Sequence, residues 1–412
     1  MNNAYFDLND TLWQITEKYP ETISLFVSRG FKQMGDTDKR KSFGNAVSLK
    51  TALALKQYNI DTFTNALVEQ IEQERSLADG SMKTTGASGD GNSVRVEGLL
   101  PCPVRIPLME HLEEFARNYK ESYDSDIRFD LKAASMGLDW LKESVINETD
   151  PTKLPDILIS AGFDLFFEKD LMGKFKEKNV FADMMGFDKL NPLFDNDHIT
   201  LKDPAGHYSM IGVVPAVFLV NTAELSGRPV PRSWKDILEP AFEKSISLPI
   251  GDFDLFNAIL LNIHKTYGEE AVKKLGRSLM TGMHPSQMVK SDRKKDEKPA
   301  VTIMPFFFTK MVKEGGPMAA VWPEDGAIIS PIFMLTKRDK QGQLQPVIDF
   351  LASKPVGEIL AHKGLFPSIN PDVDNRLPET NRFMWLGWEY IYKHDIGELI
   401  RKCESIFNEV IQ

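Results

Sequence analysis

The chain has 412 residues, 42% hydrophobic and 26% charged, a globular mixture long enough for two or three domains. Its 49 basic and 59 acidic residues give a net charge of -10, which disfavours non-specific binding of nucleic acid, so no nucleic-acid partner is expected. Cys102 and Cys403 are the only thiols, which excludes a disulfide scaffold and a cysteine zinc site.

The chain opens Met1-Asn2-Asn3-Ala4-Tyr5-Phe6, without a basic and apolar leader, and no later apolar run reaches membrane length. The expectation is a cytoplasmic chain that does not insert into a membrane; the alternative is an extracytoplasmic protein from which a leading segment has been trimmed. Asp10 or Thr11 can cap a first short helix containing Leu12 and Ile15. Pro20 restarts the chain, Ile23, Phe26 and Val27 share a helical face, and Gly30 suits a left-handed cap. Ser48 can cap a helix from Leu49 to Tyr58, and Asp61 one from Thr62 to Glu74. Residues 1–75 thus read as a helical accessory domain. Ser76 to Asn92 carries Gly80, Gly86, Gly89 and Gly91 and almost no apolar content, the composition of a flexible linker.

From Ser93 the pattern changes to strands alternating with helices, which predicts an α/β fold with parallel pairing. Strands are predicted over Val94 to Leu100, Ile127 to Leu131, Asp156 to Ser160, Gly212 to Val220, Ser245 to Leu248, Ala300 to Met304 and Ala327 to Leu335. Helices are predicted over Pro107 to Tyr119, from about Leu138, and through Phe166 and Leu171.

Several stretches carry a family likeness: Val213-Val214-Pro215-Ala216-Val217-Phe218-Leu219-Val220-Asn221, Pro231-Arg232-Ser233-Trp234-Lys235-Asp236-Ile237-Leu238, Tyr267-Gly268-Glu269-Glu270, Asp325-Gly326-Ala327-Ile328-Ile329-Ser330-Pro331 and Asp349-Phe350-Leu351-Ala352-Ser353. Together, from Ser93 to about Asn375, they resemble the type II periplasmic solute-binding proteins, in the branch with ferric, thiamine and polyamine binders. The Gln usual in the stretch after Ser353 is absent from Lys354 to Glu358. Separately, Tyr19-Pro20-Glu21, Phe26 to Phe31 and Val47-Ser48-Leu49 with Ala52 resemble a small helical domain of unknown function found at the N-terminus of bacterial redox proteins. Lys32, Gln33 and Met34 stand where many of its members carry cysteines, so dithiol chemistry does not carry over.

The resemblance implies two α/β lobes joined by two crossing strands, plus the N-terminal all-α domain. Lobe one would hold 93–213 and 328–412, and lobe two 214–327. It further implies a binding protein rather than an enzyme, with a small-molecule ligand held between the lobes and an ABC transporter permease as partner.

Strand-to-helix turns supply the candidate ligand contacts, because ligands of open α/β sheets bind beyond the strand ends. In Pro101-Cys102-Pro103-Val104-Arg105, the candidates are Cys102, Pro103 and Arg105; the turn either meets an anion or is a rigid turn with a surface arginine. Cys102 near a helix start is either a reactive thiolate or a buried inert thiol. Ser135 and Met136 follow the second strand, and Ser160, Ala161 and Gly162 the third; the same residues also serve as ordinary caps. In lobe two, Asp252 and Phe253 follow one strand, and Met304 and Phe306 another. Pro215 and Ile329 lie on the crossing strands. Phe306, Phe307 and Phe308 occupy the place where ferric binders of the family carry a tyrosine pair, and phenylalanine cannot coordinate iron. The seven histidines are scattered, without metal spacing, so neither metal nor cofactor is expected. Lys290 to Lys298 is charged but mixed in sign, a solvated loop. No phosphate-loop, nucleophile-elbow or dinucleotide motif occurs.

The expected function is therefore capture of a small, anionic solute by a hinge motion of the lobes, for ABC-type uptake or ligand sensing. The alternatives are a cytoplasmic ligand sensor without a transporter and a redox or metal-handling protein using Cys102.

Overall fold

The computed structural model describes residues 5–411 except 20–21, 29–30, 57–59, 61–62, 65–66, 69–80, 84–92, 101, 134–138, 177, 251–252, 283–297 and 313–314. The chain forms two compact units, Met1–Ser81 and Met82–Gln412.

The first unit contains the helices Leu12–Lys18, Thr22–Ser28, Thr37–Ala46 and Leu49–Leu55. Thr11 rather than Asp10 caps the first helix. Its Oγ1 accepts from the Gln14 N–H at 3.1 Å, and Gln14 Oε1 accepts from the Thr11 N–H at 2.9 Å, a reciprocal capping box. Ser48 caps the fourth helix as predicted, accepting from the Thr51 N–H. Leu12, Ile15, Phe26, Phe31, Met34, Leu49 and Leu53 form the core, with Phe26 set edge-on to Phe31 at 5.8 Å between ring centres. The expected caps at Gly30 and Asp61 lie outside the described residues, as does the expected linker apart from 81–83.

The second unit is organised on one sheet. Its strands are β1 (Ser81–Lys83), β2 (Val94–Leu100), β3 (Ile127–Ala133), β4 (Ile157–Ala161), β5 (Ser209–Asn221), β6 (Ile246–Leu248), β7 (Leu279–Gly282), β8 (Val301–Pro305), β9 (Met318–Val321), β10 (Ala327–Thr336) and β11 (Phe383–Met384). The order is β1-β3-β2-β4-β10-β5-β8-β6-β7, with β11 beside β10 and β9 beside β5. β2 is parallel to both β3 and β4, and β6 is parallel to both β7 and β8. Between these half-sheets run β5 and β10, antiparallel to each other.

Every residue of β5 and β10 is buried. Their near-continuous apolar sequences suit strands covered on both faces, which is why both were legible in the sequence. Each strand joins one half, and their own pairing connects the two. β10 pairs with β4 through Ile332 to Thr336, and β5 pairs with β8 through Ala216 to Val220. β5 begins at Ser209, earlier than predicted. There the Ser209 hydroxyl donates to Asp183 at 2.7 Å, and Asp203 accepts the His207 and Tyr208 N–H groups just upstream.

Two predicted elements change. The first long helix is Cys102–Tyr123, so Cys102, Pro103 and Arg105 belong to its first turn and not to a loop. Pro103 is compatible with that position because the first N–H groups of a helix have no intrahelical partner. The helix expected through Phe166 and Leu171 is instead the short Asp164–Phe167, which ends before Leu171.

Candidate functional site

The site is built where strands end against β10. β4 runs antiparallel to β10 and its pairing stops at Ala161 opposite Ile332. β11 runs parallel to β10 and stops at Met384 opposite Ile328. On that side of β10, Ile329, Ser330 and Pro331 therefore lie between two strand ends that point towards each other. Gly162 turns the chain away from β4 with φ +105°, a backbone region open to glycine. The residues just past the two ends meet: the rings of Phe163 and Trp385 are 5.7 Å apart.

Cross-strand partners share a face of a sheet, as do alternate residues of one strand. Ile329 is opposite Pro215, Met304 opposite Val217, and Ser160 opposite Phe333. Ser160, Pro215, Met304 and Ile329 are thus brought onto one face, spanning four adjacent strands. All four are buried, and the Ser160 hydroxyl donates to the Ala161 carbonyl at 3.0 Å. Ala161 and Phe306 are half-buried. Phe306 belongs to an aromatic wall over Met304 that includes Trp322 and Phe383; the Phe306 and Trp322 rings are 5.2 Å apart and those of Trp322 and Phe383 5.4 Å.

The other candidates are placed less fully. Cys102, Pro103 and Arg105 follow β2 on the first helical turn, and Phe253 begins the helix Phe253–Tyr267 after β6. Ser135, Met136 and Asp252 lie outside the described residues. Cys403 is buried on the helix Ile396–Glu409, and burial pushes its thiol up to about 12, which makes it unreactive at neutral pH. Among the described residues, no cluster of His, Cys, Asp and Glu could hold a metal ion.

Sequence reading missed Phe163, Trp322, Phe383 and Trp385. Their only local signals are an aromatic after Gly162 and an aromatic-rich stretch near the C-terminus. Conversely, the Pro-x-Ser-Trp stretch is a joint. Ser233 caps a short helix, the Trp234 N–H donates to Asp325 at 2.9 Å, and the indole N–H donates to the Gly326 carbonyl at 2.9 Å. The Tyr267 hydroxyl also donates to Asp325, at 2.8 Å. Burial pushes the Asp325 carboxyl above its usual range, with these hydrogen bonds opposing it. The motif fixes where β10 starts.

Two parallel half-sheets joined by an antiparallel pair of crossing strands define the fold class of the type II solute-binding proteins. Among solved structures of that fold, AfuA from Actinobacillus pleuropneumoniae, a periplasmic binding protein with exogenous fructose-6-phosphate bound, is similar at a TM-score of 0.52 and 15% identity, over 77% of this chain and 99% of that one. The ferric binding protein from Campylobacter jejuni is similar at 0.52 and 15%, also over 77% and 99%. Residues 152–394 match the family of bacterial extracellular solute-binding proteins, and the chain belongs to that family. Residues 6–64 match a domain of unknown function, DUF1858. No curated protein matches the chain. Membership of that family makes the protein a solute-binding protein rather than an enzyme. The expected cytoplasmic location is corrected by the family, whose members are extracellular; no described helix is long and apolar enough to cross a membrane.

Proposed function

We propose that the protein closes two lobes, 93–213 with 328–412 and 214–327, around a small anionic ligand and delivers it to an ABC transporter permease. The observation that carries this reading is the convergence of candidate contacts on the crossing strands: Pro215 opposite Ile329, with the ends of β4 and β8 alongside. A ligand seated there touches both halves of the sheet, so its binding favours the closed arrangement. The helix that starts at Cys102 offers unpaired N–H groups and, at Arg105, a cationic residue in its first turn. Phe306 to Phe308 supply no phenolate, which argues against bare ferric ion.

Native mass spectrometry of the purified protein would reveal a co-purified ligand by mass. Titration calorimetry with inorganic phosphate, fructose 6-phosphate, ferric ion and spermidine then tests the class. Arg105→Ala is expected to weaken anion binding by about one to two orders of magnitude, the loss of one charge-assisted hydrogen bond. Tight binding of ferric ion or spermidine, untouched by Arg105→Ala, would overturn the reading.

A further inference from the structure

The flank of β5 turned away from β10 holds two attachments, one from each proposed lobe. Ala216 pairs with Ile328 of β10 on one side and with Pro305, the last residue of β8, on the other. Gly212 pairs in the same way with Ile332 of β10 and with Ser368, and the Val213 N–H donates to the Pro367 carbonyl at 3.0 Å. Between these attachments lie Val214 and Pro215, so a bend of β5 at those residues parts the two lobes. Side chains bridge the gap. Lys310, on the 3-10 helix Phe306–Met311 that follows β8, donates to the His362 carbonyl at 3.0 Å and to the Lys363 carbonyl at 3.1 Å. These residues end the π-helix Ile359–Lys363, and the last carbonyls of a helix have no partner within it. An ammonium also suits the negative end of a helix dipole. Beside this contact Phe307 stacks on Phe366, with 6.3 Å between ring centres. Gly364 permits the approach, because a Cβ there would collide with the Phe366 ring and with Val104, in the first turn of the helix that carries Arg105.

We infer that Lys310 is a latch between the lobes: its ammonium holds the 3-10 helix of lobe two against the π-helix of lobe one and must let go before a solute passes between them. The inference rests on the solute-binding reading above and adds the residue that sets how often the lobes part. Lys310 is a positioning residue, acting on a solute through the arrangement of the lobes. Its side chain is exposed, so water competes for the same donors and the bonds break at modest cost, as a reversible contact requires. π-turns are rare and concentrate at functional sites, and this one ends where the two lobes meet. Other bonds reach from 214–327 to the C-terminal segment: Trp322 donates to the Arg382 carbonyl and Lys265 to the Leu386 carbonyl, each at 2.7 Å. They flank β11, which is paired to the start of β10, and so belong to the other crossing strand. Lys310 and Phe307 make the corresponding contact on the β5 side.

The test is a distance measurement on the full chain with no ligand added. Spin labels are attached at Glu239→Cys in lobe two and Asp339→Cys in lobe one, both exposed positions, in a Cys102→Ser background; Cys403 is fully buried and escapes labelling. Three chains are compared: Lys310 intact, Lys310→Met, which keeps the apolar stem without a donor, and Lys310→Arg, which keeps the charge. Loss of the two hydrogen bonds is expected to raise the open-to-closed ratio about tenfold, seen as a longer-distance population in Lys310→Met that Lys310→Arg reverses. A contact that serves the fold alone would lower the melting temperature and leave the distances where they are. An unchanged distance distribution in Lys310→Met would therefore overturn the inference, whatever the melting temperature does. So would a Lys310→Arg chain as open as Lys310→Met, because the cation would then not be the part that holds. Either result leaves the solute-binding reading standing, since no ligand enters the measurement. A chain that carries no co-purified solute and binds none of the calorimetric probes would remove that reading, and the role of the latch with it.

Discussion

Asp156 and Lys337 form an ion pair closed off from solvent, at 1% and 3% side-chain exposure and 3.4 Å apart. Lys340 adds a contact at 2.9 Å, and the Arg95 N–H donates to the same carboxylate at 2.9 Å. Lys337 also donates to the Leu154 carbonyl at 2.7 Å. The cluster ties the end of β10 to the start of β4 and to β2. Burial pushes the Asp156 carboxyl up, but Lys340, the Arg95 N–H and Lys337 together hold it below the ordinary 3.8. A carboxyl with a lowered folded pKa contributes stability that is complete above its unfolded value and is lost as pH falls through the folded one. Asp156→Asn leaves Lys337 buried without a counter-charge and is expected to cost about 3–5 kcal/mol in urea unfolding at pH 7. The gap between variant and wild type should shrink as pH drops below 3.8. A cost under about 1 kcal/mol at pH 7 would mean the pair behaves as an exposed one.

At the scale of elements, the Ser233-Trp234 joint is the feature most directly written in the sequence. Trp234 is fully buried, with Phe218 edge-on at 5.0 Å. Trp234→Phe keeps most of the apolar bulk but strands the Gly326 carbonyl, so a loss of about 1–3 kcal/mol in thermal unfolding is expected. An unchanged melting curve would show that the indole hydrogen bond contributes nothing. The crossing strands were equally legible, because unbroken apolar runs as long as β5 and β10 have few other destinations. β7, β9 and β11, runs of two to four residues, were not; their pairing is set by their partners. Two prolines made Cys102 to Arg105 look like a loop, although an early proline is as much a helix-start signal. Among the candidates, Ser160, Pro215, Met304 and Ile329 fall on one face because strands and their ends can be predicted. The meeting of Phe163 with Trp385 depends on β4 and β11 abutting along β10, a contact between residues far apart in sequence.

For the whole molecule, the two units keep separate cores: the first is built from residues between Phe6 and Val68, the second from residues between Val94 and Phe407. A unit with its own core survives removal of a neighbour. Limited proteolysis is expected to cut between Ser76 and Asn92, and the fragment from Ser93 onward to keep a single cooperative melt. A fragment that melts broadly would make the helical unit a structural part of the binding domain. The chain belongs to an extracellular family, so a solute present outside the cytoplasm is the starting point for mass-based identification.

The position of β10 between β4 and β5 sets a schedule for the nascent chain. Ala161 pairs with Ile332, and Gly212 with the same residue from the other side. Both neighbours are made long before β10 emerges. At about 5–20 residues per second the open edge of β4 waits on the order of ten to thirty seconds for its partner. Exposed strand edges of this kind recruit other chains. Truncation after Pro323 removes β10 and should leave a product that precipitates at a concentration where the full chain stays in solution, as sedimentation of the two would show. The middle of the sheet is therefore completed almost last, and the protein is most vulnerable to aggregation when most of it has already been made.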